Sequence, residues 1–285
     1  MQQSLLAIFS LPPYGETVPC EIGQSRIGAV MPKPTFSKSS AIAVESDQYK
    51  LQNEILLLLP PNEIKLLLSK LTAVFLKHQL LIQEAGEQIK YCYFPNTSMI
   101  SILTVMGDGK SIEVGLAGRE SFVGAPLVVG FRTSAHRGVV QSEGTAYRIG
   151  AELFLEVLER CPQLNRLLIR NAQKMAFQVS QIAACNRLHE IDQRLARWLL
   201  MTQDRVRTDV LPLTHDFLSQ MLGVNRSTVT TCAGILQEAG LIEYRRGKVH
   251  VLNRKGLEQA SCECYQIMGN QLETWDAEAF RKPRT

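Results

Sequence analysis

The stretch that most constrains this chain runs from Thr214 to Gln237: Thr-His-Asp-Phe-Leu-Ser-Gln-Met-Leu-Gly-Val-Asn-Arg-Ser-Thr-Val-Thr-Thr-Cys-Ala-Gly-Ile-Leu-Gln. The Thr214 hydroxyl can cap a helix start. Leu218 and Leu222, four apart, share its inward face. Ser219 is small where two helices must cross closely. Gly223 can take the positive φ that ends a helix. Val224 plugs the turn, Asn225 caps a second helix, and Val229 and Cys232 supply that helix's buried face before Gly240 ends it. Each residue is common alone. Small residue, glycine and apolar plug at these offsets, between capped helices, define a helix-turn-helix at 215–239. A generic helical hairpin does not call for the combination.

The second helix of such a unit enters the major groove of duplex DNA by its N-terminal turns. Its outward residues here are Arg226, Ser227, Thr230 and Thr231. Arg226 can give guanine two parallel hydrogen bonds, while Ser227 and Thr230 reach base edges or phosphates. Thr231 is equally well read as a solvated surface residue. Leu241 to Leu252 then reads as strand, tight basic turn and strand, a wing with Arg245, Arg246 and Lys248 at a tip near phosphates. Between Asn186 and Lys255 eleven Lys or Arg stand against seven Asp or Glu, a surplus of four equal to the net charge of the whole chain. That placement suits a polyanion, although an ordinary solvated surface has the same composition.

With 285 residues, 45% of them hydrophobic and 20% charged, the chain has room for two domains with real cores. Residues 1–47, rich in proline and serine, show no period and read as a disordered extension. From Thr72 strand-sized apolar pieces recur about every ten residues up to Ile149, broken at Gly86, Pro95-Asn96, Gly107-Asp108-Gly109, Gly115 and Gly118. This spacing predicts a β-sandwich or jelly roll over 48–160. Helices follow. Glu152–Cys161 is one, and Pro162 can open the next at its first position. In 163–190, Leu164, Leu167, Leu168, Asn171, Met175, Gln178, Val179 and Ile182 recur at three and four residues, which predicts a long packed helix at 161–190 suited to pairing with a second copy. A helix at 192–205 opens the DNA-binding part, 191–265, and 266–285 is a C-terminal tail. The fold class is α+β.

These residues carry a resemblance to the Crp/Fnr family of bacterial transcription regulators, running from about Asn53 to Tyr265 and strongest over 186–256. Arg226-Ser227-Thr228-Val229 matches the family's opening of the recognition helix, and Asp108 to Val114 resembles its β-roll. The resemblance implies a double-stranded β-helix of the cyclic-nucleotide-binding type, a long dimerisation helix, a winged helix-turn-helix, a palindromic operator and RNA polymerase as a further partner. It also exposes departures. Family members that bind cyclic AMP hold the ribose with a Glu in a Gly-Glu-Leu phrase and the phosphate with an Arg-Ser pair. Here the matching positions are Gly124-Ala125-Pro126-Leu127 and Ala135-His136. Arg137 lies next door but on the opposite strand face. Gly124, Ala125, Ala135, His136, Arg137 and Ser180 thus outline a degenerate effector pocket, and cyclic AMP is not expected there.

Nor are an iron-sulfur cluster or haem expected: Cys20 stands alone at the N-terminus, and His78 and His136 are the only histidines of the β-roll. Cys262-Glu-Cys264, read as two positions on a helix, would point its thiols apart, so no metal site is assigned. No phosphate loop or nucleophile–base arrangement suggests an enzyme. No apolar run is long enough to span a membrane. Seven scattered cysteines fit a reduced cytoplasm. The leading expectation is a homodimeric DNA-binding regulator of unknown effector. The alternatives are a small-molecule sensor with the same output, and a regulatory subunit that binds a protein partner and has no need of a winged helix.

Overall fold

The computed structural model describes residues 36, 41–43 and 50–280, which belong to one compact unit over 33–285. The rest of the expected 1–47 extension, Cys20 included, lies outside the described residues. The ten-residue rhythm is strands: β1 (Ile42–Ala43), β2 (Thr72–Leu76), β3 (Leu81–Gln83), β4 (Tyr91–Pro95), β5 (Met99–Val105), β6 (Ser111–Ala117), β7 (Arg137–Ser142) and β8 (Gly144–Gly150). They form two antiparallel four-stranded sheets, β1-β2-β8-β4 and β3-β7-β5-β6. Val74, Leu76, Ile100, Ile102, Val140 and Ala146 alternate into the space between them and form a dry core. The extension needs one correction. Ile42 and Ala43 pair with Phe75 and Val74, because β2 presents an open edge whose backbone groups accept another strand.

Helices α1 (Glu54–Leu57), α2 (Pro61–Leu68), α3 (Ala125–Val128) and α4 (Ala151–Arg160) pack around the roll, followed by α5 (Pro162–Leu188) and α6 (Ile191–Val206). Asn53 caps α1 by accepting from the Leu56 amide and is itself buried, donating to Pro95 O at 2.8 Å and Ser121 O at 3.0 Å. Pro162 does open α5, but the residue before it, Cys161, gives no side-chain cap. The cap comes from another helix. The buried Glu63 carboxylate on α2 accepts from the Gln163 and Leu164 amides at 3.1 and 2.8 Å, placing negative charge at the positive end of α5.

Beyond α6 come β9 (Val210–Leu211), α7 (His215–Leu222), α8 (Arg226–Glu238), β10 (Ile242–Arg245), β11 (Lys248–Val251), α9 (Arg254–Ala260) and α10 (Cys264–Phe280). The expected tail is therefore helical as far as Phe280. It lies along α5, with Trp275 edge-on to Phe177 at 5.4 Å between ring centres and Asp276 paired with Lys174. Among the described residues no helix is long and apolar enough to cross a membrane.

Helix α6 joins the β-roll to the C-terminal part. Every residue from Arg194 to Gln203 is buried, so the helix is enclosed on all sides. Leu195 and Leu199 sit in one core with Phe217, Leu218, Leu222, Val229 and Leu236. On the other side Trp198 donates its indole N–H to Glu113 on β6 at 2.7 Å, and Gln141 on β7 donates to Thr202 at 3.3 Å. At the edge Arg205 pairs with Glu120 at 2.8 Å.

Burial raises the Glu113 carboxyl from 4.5 to about 7, against the lowering effects of Ser101, Trp198 and the Arg197 and Arg205 charges. A carboxyl raised in the folded chain contributes stability that is present below about pH 4.5 and lost as the pH climbs through about 7. The whole effect is on the order of 3 kcal/mol. Glu113→Gln keeps an oxygen for Trp198 and removes the titration. Its melting temperature relative to wild type should rise between about pH 5 and about pH 8. A difference that stays constant with pH would show that Glu113 carries no such coupling.

Candidate nucleic-acid interface

The two helices of the expected motif are α7 and α8, within a residue of the sequence-based limits. Thr214 Oγ1 accepts from the Phe217 amide at 3.2 Å, as a capping threonine should. Gly223 ends α7 at φ 66°, and a Cβ there would stand 2.8 Å from Ile112 on β6. Glycine is thus favoured by the positive φ of the turn, while a larger residue would also displace the tip of Ile112. Val229, Cys232, Ala233 and Leu236 bury one side of α8. Arg226, Ser227, Thr230 and Thr231 lie exposed on the other.

One expectation is corrected. Asn225 sits at the helix start but its side chain accepts no hydrogen bond from the first turn. Among the described residues no side chain caps the amides there, which suits a phosphate oxygen.

Arg226 is exposed and lies 3.5 Å from the equally exposed Asp216 on α7. Such a surface pair is worth at most about 1 kcal/mol and yields readily to a stronger partner. The two threonines are partly engaged. Thr231 donates to Ser227 O at 3.1 Å, and Thr230 donates to Arg226 O at 3.0 Å. With its proton so used, Thr230 accepts from His215 Nδ1 at 2.9 Å, which fixes the proton on that nitrogen. Each hydroxyl then has acceptor capacity toward solvent rather than a free proton.

Strands β10 and β11 form the wing, joined by Arg246 at φ 51° and Gly247 at φ 73°. Two consecutive positive φ values match the twist of a tight hairpin. Arg245, Arg246 and Lys248 are all exposed at this end. Sequence reasoning missed the group that holds the wing in place. His215 stacks on Tyr244 of β10 with ring centres 4.0 Å apart, and Gln237 of α8 accepts from the Tyr244 amide at 2.8 Å. The signal was an aromatic directly after the cap and another in the wing strand, but their meeting is a long-range contact. Burial and the nearby Arg226 charge hold the His215 pKa below its usual value, so the stack is with neutral imidazole.

The six residues of the degenerate pocket meet different fates. Gly124 packs its backbone onto Cys92 at a positive φ that favours glycine, and Ala125 opens α3. Ala135 is exposed, and burial lowers the His136 pKa. Arg137 is committed: its Nε donates to both Glu84 oxygens at 2.9 and 3.1 Å, and its guanidinium lies over Phe36. Ser180 lies exposed on α5 and donates to Phe177 O. None of the six lines either of two cavities of about 800 and 430 Å³, the larger between α1, α5 and α10 and the smaller between α6 and α10.

The reading of Cys262 and Cys264 as diverging helical positions is also corrected. Cys262 precedes α10 and Cys264 begins it, so helical spacing does not apply, and both thiols meet Cys185 and His189.

A nucleotide-binding-type roll joined by a buried helix to an exposed, basic-tipped winged helix defines a two-domain transcription regulator. Residues 73–161 match the cyclic nucleotide-binding domain and residues 193–260 the Crp-like helix-turn-helix domain. The chain belongs to the Crp/Fnr family of regulators. The global nitrogen regulator of Synechocystis is 24% identical over 184 residues, 61% of this chain and 81% of that protein. Among solved structures, a putative Crp/Fnr regulator from Eubacterium rectale has a TM-score of 0.57 at 17% identity, covering 71% of this chain and 94% of the other. The c-di-GMP-responsive regulator CLP of Xanthomonas campestris has a TM-score of 0.58 at 16% identity, covering 67% and 99%. These are likenesses of fold.

Proposed function

We propose that this chain regulates transcription as a homodimer that reads a palindromic operator, with Arg226 as the base-reading residue, and that its effector is not cyclic AMP. The observation that carries the reading is the outward face of α8. Arg226, Ser227, Thr230 and Thr231 are exposed there without a covering element, while the basic wing stands exposed beside them. Lys248, Arg245 and Arg246 serve phosphates, and Thr214 and Asn225 stand at the N-terminal ends of α7 and α8, where the backbone comes close to the duplex.

Pairing through α5 is supported by a second stripe on that helix. Arg166, Ile169, Gln173, Ala176, Ser180, Ala183 and Arg187 alternate at three and four residues and are all exposed. Ile169 is 50% exposed, unusual for an isoleucine on a helix otherwise packed against its own chain. Small residues at 176, 180 and 183 allow two copies of the helix to approach closely. Symmetric pairing would set two recognition helices on half-sites about one helical turn apart. RNA polymerase is a further partner suggested by the family likeness. The regulators among the similar proteins favour this reading over an enzymatic one. A small-molecule sensor is the second reading, favoured by the larger cavity against α5, which buried Asn171 and Gln178 line.

Arg226→Ala should lower discrimination between specific and altered sites by about 1–3 kcal/mol in gel-shift titrations. Equal weakening on all DNA would leave Arg226 a phosphate contact. Ala176→Glu should shift the sedimenting species from dimer to monomer, since it sets like charges face to face across the seam. An unchanged dimer would move the interface off α5. With alanine at 125 and Arg137 held by Glu84, titration calorimetry with cyclic AMP should show no micromolar binding. A saturable isotherm would reverse that conclusion.

A further inference from the structure

At the junction of α5, α6 and α10 lies a cluster that the DNA-reading function does not use. Cys185 lies on the last turn of α5, and His189 follows as its extended C-cap with its backbone N–H bonded to Cys185 O. Cys262 and Cys264 flank Glu263 in the turn from α9 to α10. The three thiols are buried and the imidazole is largely so. Their ligand atoms all lie within 4.8 Å of one another, with Cys185 Sγ 3.4 Å from Cys262 Sγ and Cys264 Sγ 3.5 Å from His189 Nδ1.

We propose that Cys185, His189, Cys262 and Cys264 bind one zinc-type divalent ion in a closed four-coordinate site that pins α10 to the end of α5. Three thiolates and an imidazole are an established donor set for structural zinc. With metal–sulfur bonds of about 2.3 Å, the edges of a tetrahedral site are about 3.8 Å, so the side chains need move only slightly to close on an ion. The closest sulfur pair is far outside the roughly 2.05 Å of a disulfide.

The surroundings suit the charge. Such a site carries one net negative charge. Arg194 and Arg197 on α6 are buried, and neither forms an ion pair among the described residues. Both lie within electrostatic reach of the thiols: Arg197 acts on Cys185 and Cys262, and Arg194, whose pKa burial lowers, is in turn acted on by Cys185 and Cys262.

Outer groups are also in place. Gln181 donates to Cys264 Sγ at 3.1 Å. His189 Nε2 lies 4.0 Å from a Glu263 carboxylate oxygen, which would orient the ring with Nδ1 toward the ion. The site joins the last turn of α5, just before α6 begins, to the start of α10. Losing the ion would free α10 from the joint between the roll and the winged helix.

The test uses the full chain purified under reducing, oxygen-free conditions. Elemental analysis should find about one zinc ion per chain. Exchange with cobalt(II) should give the visible ligand-field bands and near-ultraviolet thiolate charge-transfer bands of a tetrahedral site, lost again on adding zinc. Cys264→Ser should weaken cobalt binding at least tenfold, whereas Cys92→Ala, a buried thiol elsewhere, should leave it unchanged. Should Cys264→Ser misfold, His189→Cys serves in its place: it keeps a tetrahedral spectrum with stronger charge-transfer bands. Folded, reduced protein that holds no zinc and gives no tetrahedral cobalt spectrum overturns the proposal. So does a protein that carries iron and sulfide, or one isolated with a Cys185–Cys262 disulfide.

Discussion

Everything on the C-terminal side of this molecule depends on the burial of α6. Ten consecutive residues from Arg194 to Gln203 are out of solvent, which a helix reaches only when partners enclose it on all sides. Its apolar positions are shared between α7, α8 and α9, and its Trp198 reaches across to Glu113 on the β-roll. The indole N–H and the carboxylate are both buried, so each needs the other. Removing either leaves an uncompensated polar group in a dry interface. The position of the winged helix against the roll is thereby tied to this buried hydrogen bond, with Gln141–Thr202, Gln220–Ser111 and Arg205–Glu120 beside it and apolar packing around it.

This arrangement gives the β-roll a mechanical hold on the DNA-reading unit. Gly223 in the turn of the helix-turn-helix rests on Ile112, and Gln220 on α7 donates to Ser111, both at the same end of β6 as Glu113. A shift of β6 acts on the turn between α7 and α8 without passing through the exposed surface. The reading face is exposed, and Arg226 pairs among the described residues with the solvent-exposed Asp216 carboxylate.

The parts of this structure that were legible in the sequence are those governed by local rules. The helical period over 163–190, the proline at 162, the glycines at 223 and 240 and the basic two-residue turn of the wing each act within a few residues, and each lies where the pattern set it. The roll was legible through the spacing of its strands. What escaped depended on contacts distant in sequence. Glu63 caps a helix a hundred residues away. Ile42 and Ala43 find the edge of β2. His215 meets Tyr244, and Arg137 is taken up by Glu84. Cys262 and Cys264 were misjudged for a related reason: a period was applied across a helix boundary, and their partners are 77 and 75 residues earlier.

Helix α5 unites these observations, because it carries two seven-residue rhythms on different faces. Leu164, Leu168, Asn171, Met175, Gln178, Ile182 and Cys185 step by four and three along the inner face and pack against their own chain, with His189 as the extended cap beyond them. Arg166, Ile169, Gln173, Ala176, Ser180, Ala183 and Arg187 step likewise along the outer face and remain exposed. The inner stripe is apolar at its start, turns amide-bearing at Asn171 and Gln178 beside the larger cavity, and ends in a thiol and an imidazole. A helix packed along its whole inner face has little freedom to bend and transmits displacement along its axis. What happens at Cys185 and His189 is therefore felt where α6 begins, three residues after the helix ends, and from there by Trp198 and the winged helix.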